Sequence, residues 1–146
     1  MSLAEFQQRL KSCRYCRDFL GLRLEPKPVV WGKDRAPIVI IGQAPSLSAS
    51  LCGRPFSRDS EKPDASGRRL ISWLGVTEDV FFKQEIFYIT GVARCYPGRG
   101  KGGDLSPPRV CAERWLEEEL SYLSPEIFIL LGRHAASWGF TLHRHR

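Results

Sequence analysis

The sequence predicts one α/β domain in three layers, with helices on both faces of a central, mostly parallel sheet. Three short apolar runs carry that prediction: Ile38-Val39-Ile40-Ile41, Ile86-Phe87-Tyr88-Ile89 and Ile127-Phe128-Ile129-Leu130-Leu131. Amphipathic segments separate them. The resulting order of strand, helix, strand, helix, strand, helix makes parallel strands joined by right-handed crossovers. The chain's 146 residues fit one domain. A domain of that size buries about 70% of its unfolded surface and needs no disulfide staples.

The elements follow in order. Ser2 and Glu5 have the spacing of a capping box, and Leu3, Phe6 and Leu10 recur at helical intervals, so a helix is expected to about Cys16 or Phe19. Val29-Val30-Trp31 reads as a short edge strand. Ile38 to Ile41, fenced by Pro37 and Gly42, has the composition of a strand buried on both faces. Gln43 to Ala65 is polar, and a loop of that length in a compact domain usually serves function. Ser66 is placed to cap a helix with Leu70, Trp73 and Leu74 on one side. The second strand enters a Gly/Pro-rich loop, Cys95 to Pro108. Pro107 and Pro108 sit where a helix start tolerates missing N–H groups. The helix they open carries Val110, Leu116, Leu120 and Leu123 inward and Glu113, Glu117, Glu118 and Glu119 on a solvated face. Gly132 closes the third strand, and a short helix with His134 in its first turn follows.

In open parallel sheets the ligand crevice lies beyond the carboxyl ends of the strands. Here those ends are Gln43-Ala44-Pro45-Ser46, Thr90-Gly91-Val92-Ala93-Arg94-Cys95 and Gly132-Arg133-His134. The charge suggests what binds there. The net charge is +6, and 16 of the 22 basic residues are arginine. Arginine makes bidentate contacts to phosphate and stacks on flat rings, so nucleic acid is the first partner to test. At 42% hydrophobic and 26% charged residues the composition excludes disordered and fibrous classes. The N-terminus lacks the apolar stretch of a signal peptide, and nowhere do 18 apolar residues run together. A cytoplasmic protein without a membrane partner is expected.

Five cysteines in such a protein read as metal ligands or core thiols rather than disulfides. Cys13 and Cys16 are able to point the same way from one helical turn. Cys95 and Cys111 lie in the second loop and the helix after it. Zinc ribbons use two tight Cys-x-x-Cys knuckles, and the second pair is too open for that. A [4Fe–4S] cluster needs four cysteines and accepts uneven spacing. From spacing alone a cluster, a zinc ion and unligated core thiols all stay open. Cys52 reads as an ordinary thiol.

Several segments then recur in the order of a known family: Gly42-Gln43-Ala44-Pro45-Ser46, Gly53-Arg54-Pro55-Phe56, Ser66-Gly67-x-x-Leu70 and Cys95-Tyr96-Pro97-Gly98, followed by Cys111, Trp115-Leu116-x-x-Glu119-Leu120, Pro125 and Leu131-Gly132. With its four cysteines, the set resembles the iron–sulfur branch of the uracil-DNA glycosylase superfamily, often called family 4, across roughly residues 10 to 140. The resemblance implies a structural [4Fe–4S] cluster on Cys13, Cys16, Cys95 and Cys111, with zinc in the same site as the alternative. It implies DNA as partner, single- or double-stranded with a damaged base, and an enzyme of base-excision repair; a monomer is expected.

Cutting an N-glycosidic bond requires a base flipped out of its stack, a flat side chain against it, and a water aimed at the sugar carbon. By the resemblance, Phe56 stacks the base and Gln43 stands near the attacking water, with Ala44 and Pro45 as the pocket wall. A Gln amide orients a water but cannot take its proton as a carboxylate would. Arg54, Arg58, Arg68, Arg69 and Arg94 are candidate phosphate contacts. Two departures from the family pattern stand out. Gly91 occupies the position where family members have an Asn that reads the edge of uracil. The family's His-Pro-Ser element is also absent before Arg146, and the basic tail with His143 and His145 lacks its pattern. The expectation is therefore a single domain over residues 1–146, truncated at its C-terminal end, with a non-catalytic module that binds DNA or only carries the cluster as the alternative.

Overall fold

A computed structural model describes residues 1–21 and 25–144. Its centre is a parallel three-stranded sheet in the order β2-β1-β5, where β1 is Ile38–Gly42, β2 is Phe87–Gly91 and β5 is Ile127–Leu130. Side chains alternate across the pleat, so β1 feeds two cores. Val39 and Ile41 join Tyr88 on one face, packed by α1 (Leu3–Lys11), α6 (Arg109–Ser121) and Ala135 of α7 (Gly132–Arg144). Ile40 joins Phe87 and Ile89 on the other, packed by α4 (Ala65–Leu74) and α5 (Glu78–Phe81). This is the predicted three-layer α/β/α arrangement. Among the described residues no helix is long and apolar enough to cross a membrane.

Several boundaries differ from the sequence reading. The Ser2–Glu5 capping box forms, but the first helix stops at Lys11. Arg14 Nη1 donates to Lys11 O and Cys13 O at 3.0 and 2.8 Å, stabilising a break before α2 (Tyr15–Leu20). Cys13 and Cys16 therefore flank a helix junction instead of sharing one helix. Val29 to Trp31 forms no strand; it contributes one antiparallel bridge, Trp31 to Ile89. The polar stretch after β1 contains α3 (Leu47–Cys52), capped by the Ser46 hydroxyl accepting from Ala49 N. Asp64, not Ser66, caps α4, its carboxylate accepting from Gly67 N at 2.7 Å. The long second loop carries a small hairpin of β3 (Arg99–Gly100) and β4 (Gly103–Asp104).

Two side chains are on the opposite side from the one predicted. Trp73, expected inward, is 74% exposed, and Ile71 takes the buried place beside Leu70. Glu119, expected on the solvated face, is fully buried. It lies four residues after Trp115 and three after Leu116, on the same helical stripe, and that spacing is the sequence signal for its burial. The third strand is also less covered than its composition suggests, since Ile127, Phe128 and Leu130 are all exposed. Its outer edge has no strand partner among the described residues.

Candidate functional site

At the carboxyl ends of β1, β2 and β5 lies a crevice of about 690 Å³, where the sheet topology predicts one. Gly42, Gln43, Ala44 and Pro45 line it from the end of the central strand, with Thr90 and Gly91 from β2 on one side and Leu130 to Gly132 from β5 on the other. Main-chain bonds extend the strand pairing into the wall: Val92 N donates to Gly42 O at 3.0 Å and Ala93 N to Gln43 O at 2.9 Å. The wall is thus held by backbone. The Gln43 side chain, exposed and without a hydrogen-bond partner among the described residues, stays available to solvent or ligand.

Phe56 enters from the loop between α3 and α4. It sits at φ 53°, a left-handed conformation that costs a non-glycine residue about 1–3 kcal/mol. The surroundings enforce it. Phe56 O accepts from Asp64 N at 2.9 Å, and the ring packs edge-on against Phe81 at 6.1 Å. Gly67 is needed on α4 because a Cβ there would lie 2.4 Å from Phe56 O. The Ser66-Gly67 pair therefore matters for close approach, with the cap itself at Asp64. The half-buried aromatic ring lines the crevice beside the end of β1, where a Cβ added at Gly42 would lie 3.8 Å from Phe56 Cζ.

The basic residues separate into three situations. Arg69 is exposed and lines the crevice. Arg68 is exposed nearby and donates to Pro63 O at 3.3 Å; Arg58, also exposed, pairs with Asp59 at 3.7 Å. Arg54 and Arg94 are corrections. The Arg54 guanidinium stacks on Phe82 at 3.4 Å and does not line the crevice. Arg94 is only 2% exposed, and its guanidinium donates to Glu119 Oε1 at 2.6 Å and to Val29 O at 3.0 Å. A guanidinium so engaged cannot grip a phosphate. Glu119 is saturated in turn, accepting from Tyr88 Oη and Thr90 Oγ1, each at 2.7 Å. Burial, then the Glu119 charge, pushes the Tyr88 phenol well above its usual pKa, so it keeps the proton it donates to Glu119 while its oxygen accepts from Gln7 Nε2 at 3.4 Å.

Behind this ion pair is a second, smaller cavity of about 30 Å³, lined by Cys13, Cys16, Cys95 and Cys111. Among the described residues no carboxylate or imidazole lines it; its other walls include Pro26, Pro28, Tyr15, Tyr96 and the paired Arg94. Burial, and after it the neighbouring Cys111, Cys13 and Cys16, push the Cys95 thiol up to about 12. Burial likewise raises Cys111 to about 11. Four sulfurs in an apolar recess suit a soft metal centre, whose positive charge would hold them as thiolates. Among the described residues no group of three or more Cys, His, Asp or Glu is already arranged to hold a metal ion. The four thiols line the cavity without closing on one point. Cys52 lies apart on α3, donating weakly to Ala49 O and Arg54 O.

His134 falls in the first turn of α7 and does not line the crevice. The backbone of His143 is helical but its side chain is outside what is described, and His145 lies outside the described residues. Among the described residues the crevice carboxylates are Asp64, engaged as a cap, and Asp104, which accepts from Tyr96 Oη at 3.2 Å.

Residues 29–146 match the model of the uracil DNA glycosylase superfamily. The chain is similar to the type-4 uracil-DNA glycosylase of Archaeoglobus fulgidus, 32% identical over 143 residues, covering 97% of this chain and 65% of that protein. It is also similar to the type-4 enzymes of Sulfurisphaera tokodaii (25% identical, 96% and 59% covered) and Saccharolobus solfataricus (28% identical, 75% and 46% covered). It thus spans between about half and two thirds of the length of these curated relatives.

Proposed function

Because this chain belongs to the uracil-DNA glycosylase superfamily, we propose that it removes uracil, or a related damaged base, from DNA by hydrolysing the N-glycosidic bond. The observation that carries the reading is Phe56, held in a strained conformation by its neighbours with its ring lining the crevice at the sheet's carboxyl edge. Strain kept in place by surrounding structure marks a site where geometry is used.

In this mechanism the target base leaves the duplex or strand and slides between Phe56 and the Ala44–Pro45 wall. Flipping costs a few kcal/mol, and the stacking returns ~1–3 kcal/mol. Gln43, at the end of β1, orients a water toward the sugar carbon through its amide. The water oxygen bonds to that carbon as the carbon–nitrogen bond breaks, and the base departs with the bonding electrons. The water's proton goes to solvent, since Gln43 cannot accept it. Gly91 gives the crevice no side chain to read the base edge, so recognition rests on shape and stacking. Arg69, with Arg68 and Arg58 behind it, contributes phosphate contacts.

Cys13, Cys16, Cys95 and Cys111 would hold a [4Fe–4S] cluster, or zinc as the alternative, and the donor set supports a soft metal. Such a cluster would be structural, tying the second loop to the N-terminal helices. A second reading has specific support: the Gln43 amide is no base and Gly91 has no side-chain amide, which favours a non-catalytic DNA-binding module. An assay of uracil release from single-stranded uracil DNA decides between them. Abasic product with turnover supports the enzyme, and its absence at high protein concentration overturns it. Iron and sulfide analysis with the visible absorption band distinguishes the cluster from zinc.

A further inference from the structure

Trp73 is 74% exposed, more than any other described large apolar residue, and its ring reaches the rim of the crevice. An indole left in water at the mouth of a ligand site is unexplained by folding, because α4 already buries Leu70 and Ile71 on its other face. Arg69 precedes it by one helical turn on the same face and lines the same crevice. Among the described residues Arg69 and Arg68 form no ion pair and α4 itself contains no acidic residue, so the face Arg69 shares with Trp73 carries positive charge; the carboxylates nearby, Asp64 and Asp104, are engaged by Gly67 N and Tyr96 Oη. Across the crevice the other rim carries Leu105, also exposed.

We infer that Trp73 and Arg69 form a stacking platform outside the pocket, which takes an unpaired base of the strand next to the nucleotide whose base enters the crevice. The indole supplies a flat face that any base can stack on, and Arg69 meets the phosphate beside it. The occupant is single-stranded DNA: the patch is continuous with the crevice, and its charge suits a polyanion. The inference rests on the DNA reading proposed above, and it adds a contact that does not depend on the damaged base.

The test is binding of the full chain to a fluorescently labelled, undamaged oligo-dT strand, followed by anisotropy for the native sequence, Trp73→Ala and Trp73→Phe. Thermal melts establish that each variant is folded, which an exposed position favours. The platform predicts that Trp73→Ala raises Kd by about 5- to 100-fold, while Trp73→Phe stays within a few-fold. Arg69→Ala should weaken binding and reduce the slope of log K against log salt by about one. Native-like affinity of Trp73→Ala would overturn the platform and leave the exposed indole to a protein contact. Uracil release by the native chain is scored separately. Release with Trp73-independent binding sinks only the platform, whereas Trp73-dependent binding without release supports the platform and sinks the glycosylase reading.

Discussion

The crevice and the cysteine cavity are neighbours built on opposite principles. The crevice is wide, about 690 Å³, and its wall is backbone fixed by strand ends and by the main-chain bonds of Val92 and Ala93. The cysteine cavity is about 30 Å³ and depends on side chains from four separate places in the chain. Between them runs the Arg94–Glu119 pair, which lines both spaces from the Arg94 side. A crevice framed by backbone tolerates exchange of its side chains, so its chemistry can change without loss of fold. A cavity framed by converging side chains does not.

The largest effect should come from the cysteine side. Cys95→Ser removes one of four sulfurs, and a structural metal centre contributes directly to folding free energy. The expected result is loss of bound metal by elemental analysis, with a fall in stability exceeding that of any variant below. Retention of full stability would show the cavity to be a packed cluster of thiols. Next comes the joint between the two regions. Glu119→Gln leaves the Arg94 charge buried without its counter-ion and should cost about 3–5 kcal/mol in urea unfolding. Replacing both, Glu119→Leu with Arg94→Met, should recover only the part due to the unpaired charge, because Tyr88 Oη and Thr90 Oγ1 then lose their buried acceptor and Val29 O its donor.

At the exposed Gln43 of the crevice the same measurements should hardly move while function does. Gln43→Glu supplies the missing proton acceptor at an exposed site. It should raise single-turnover uracil release about 10²-fold, with urea stability within about 0.5 kcal/mol of native. Its gain should be present above the carboxylate's pKa and lost as pH falls through it. Phe56→Ala should weaken binding of uracil-containing single strands by about 1–3 kcal/mol; unchanged affinity would remove Phe56 from the stacking role. A crevice variant that unfolds the protein, or a cysteine variant that alters only binding, would break the contrast.

The legibility of each region follows the same division. β1, β2 and β5 were readable from Ile38, Ile86 and Ile127 onward because β-branched runs bounded by Gly and Pro are local signals. So was the crevice, since parallel topology locates it at the strands' carboxyl ends. The fate of individual arginines was not readable. Arg69 and Arg94 look alike in sequence, yet one is exposed on α4 and the other is buried against Glu119. Burial of Arg94 depends on a carboxylate 25 residues away, which no local window contains.

The sequence by itself determined the layer order, the strands, the edge that carries the site, the sulfur set and the basic character. Each rests on periodicity, spacing or composition, which are properties of neighbouring residues. Only the tertiary structure decided that Phe56 is strained into the crevice, that Trp73 faces solvent at its rim, and that Arg94 and Glu119 close a buried pair between the two cavities. The physical reason is desolvation. Whether a charge or a ring is buried depends on what distant segments bring over it, and only the folded chain fixes that.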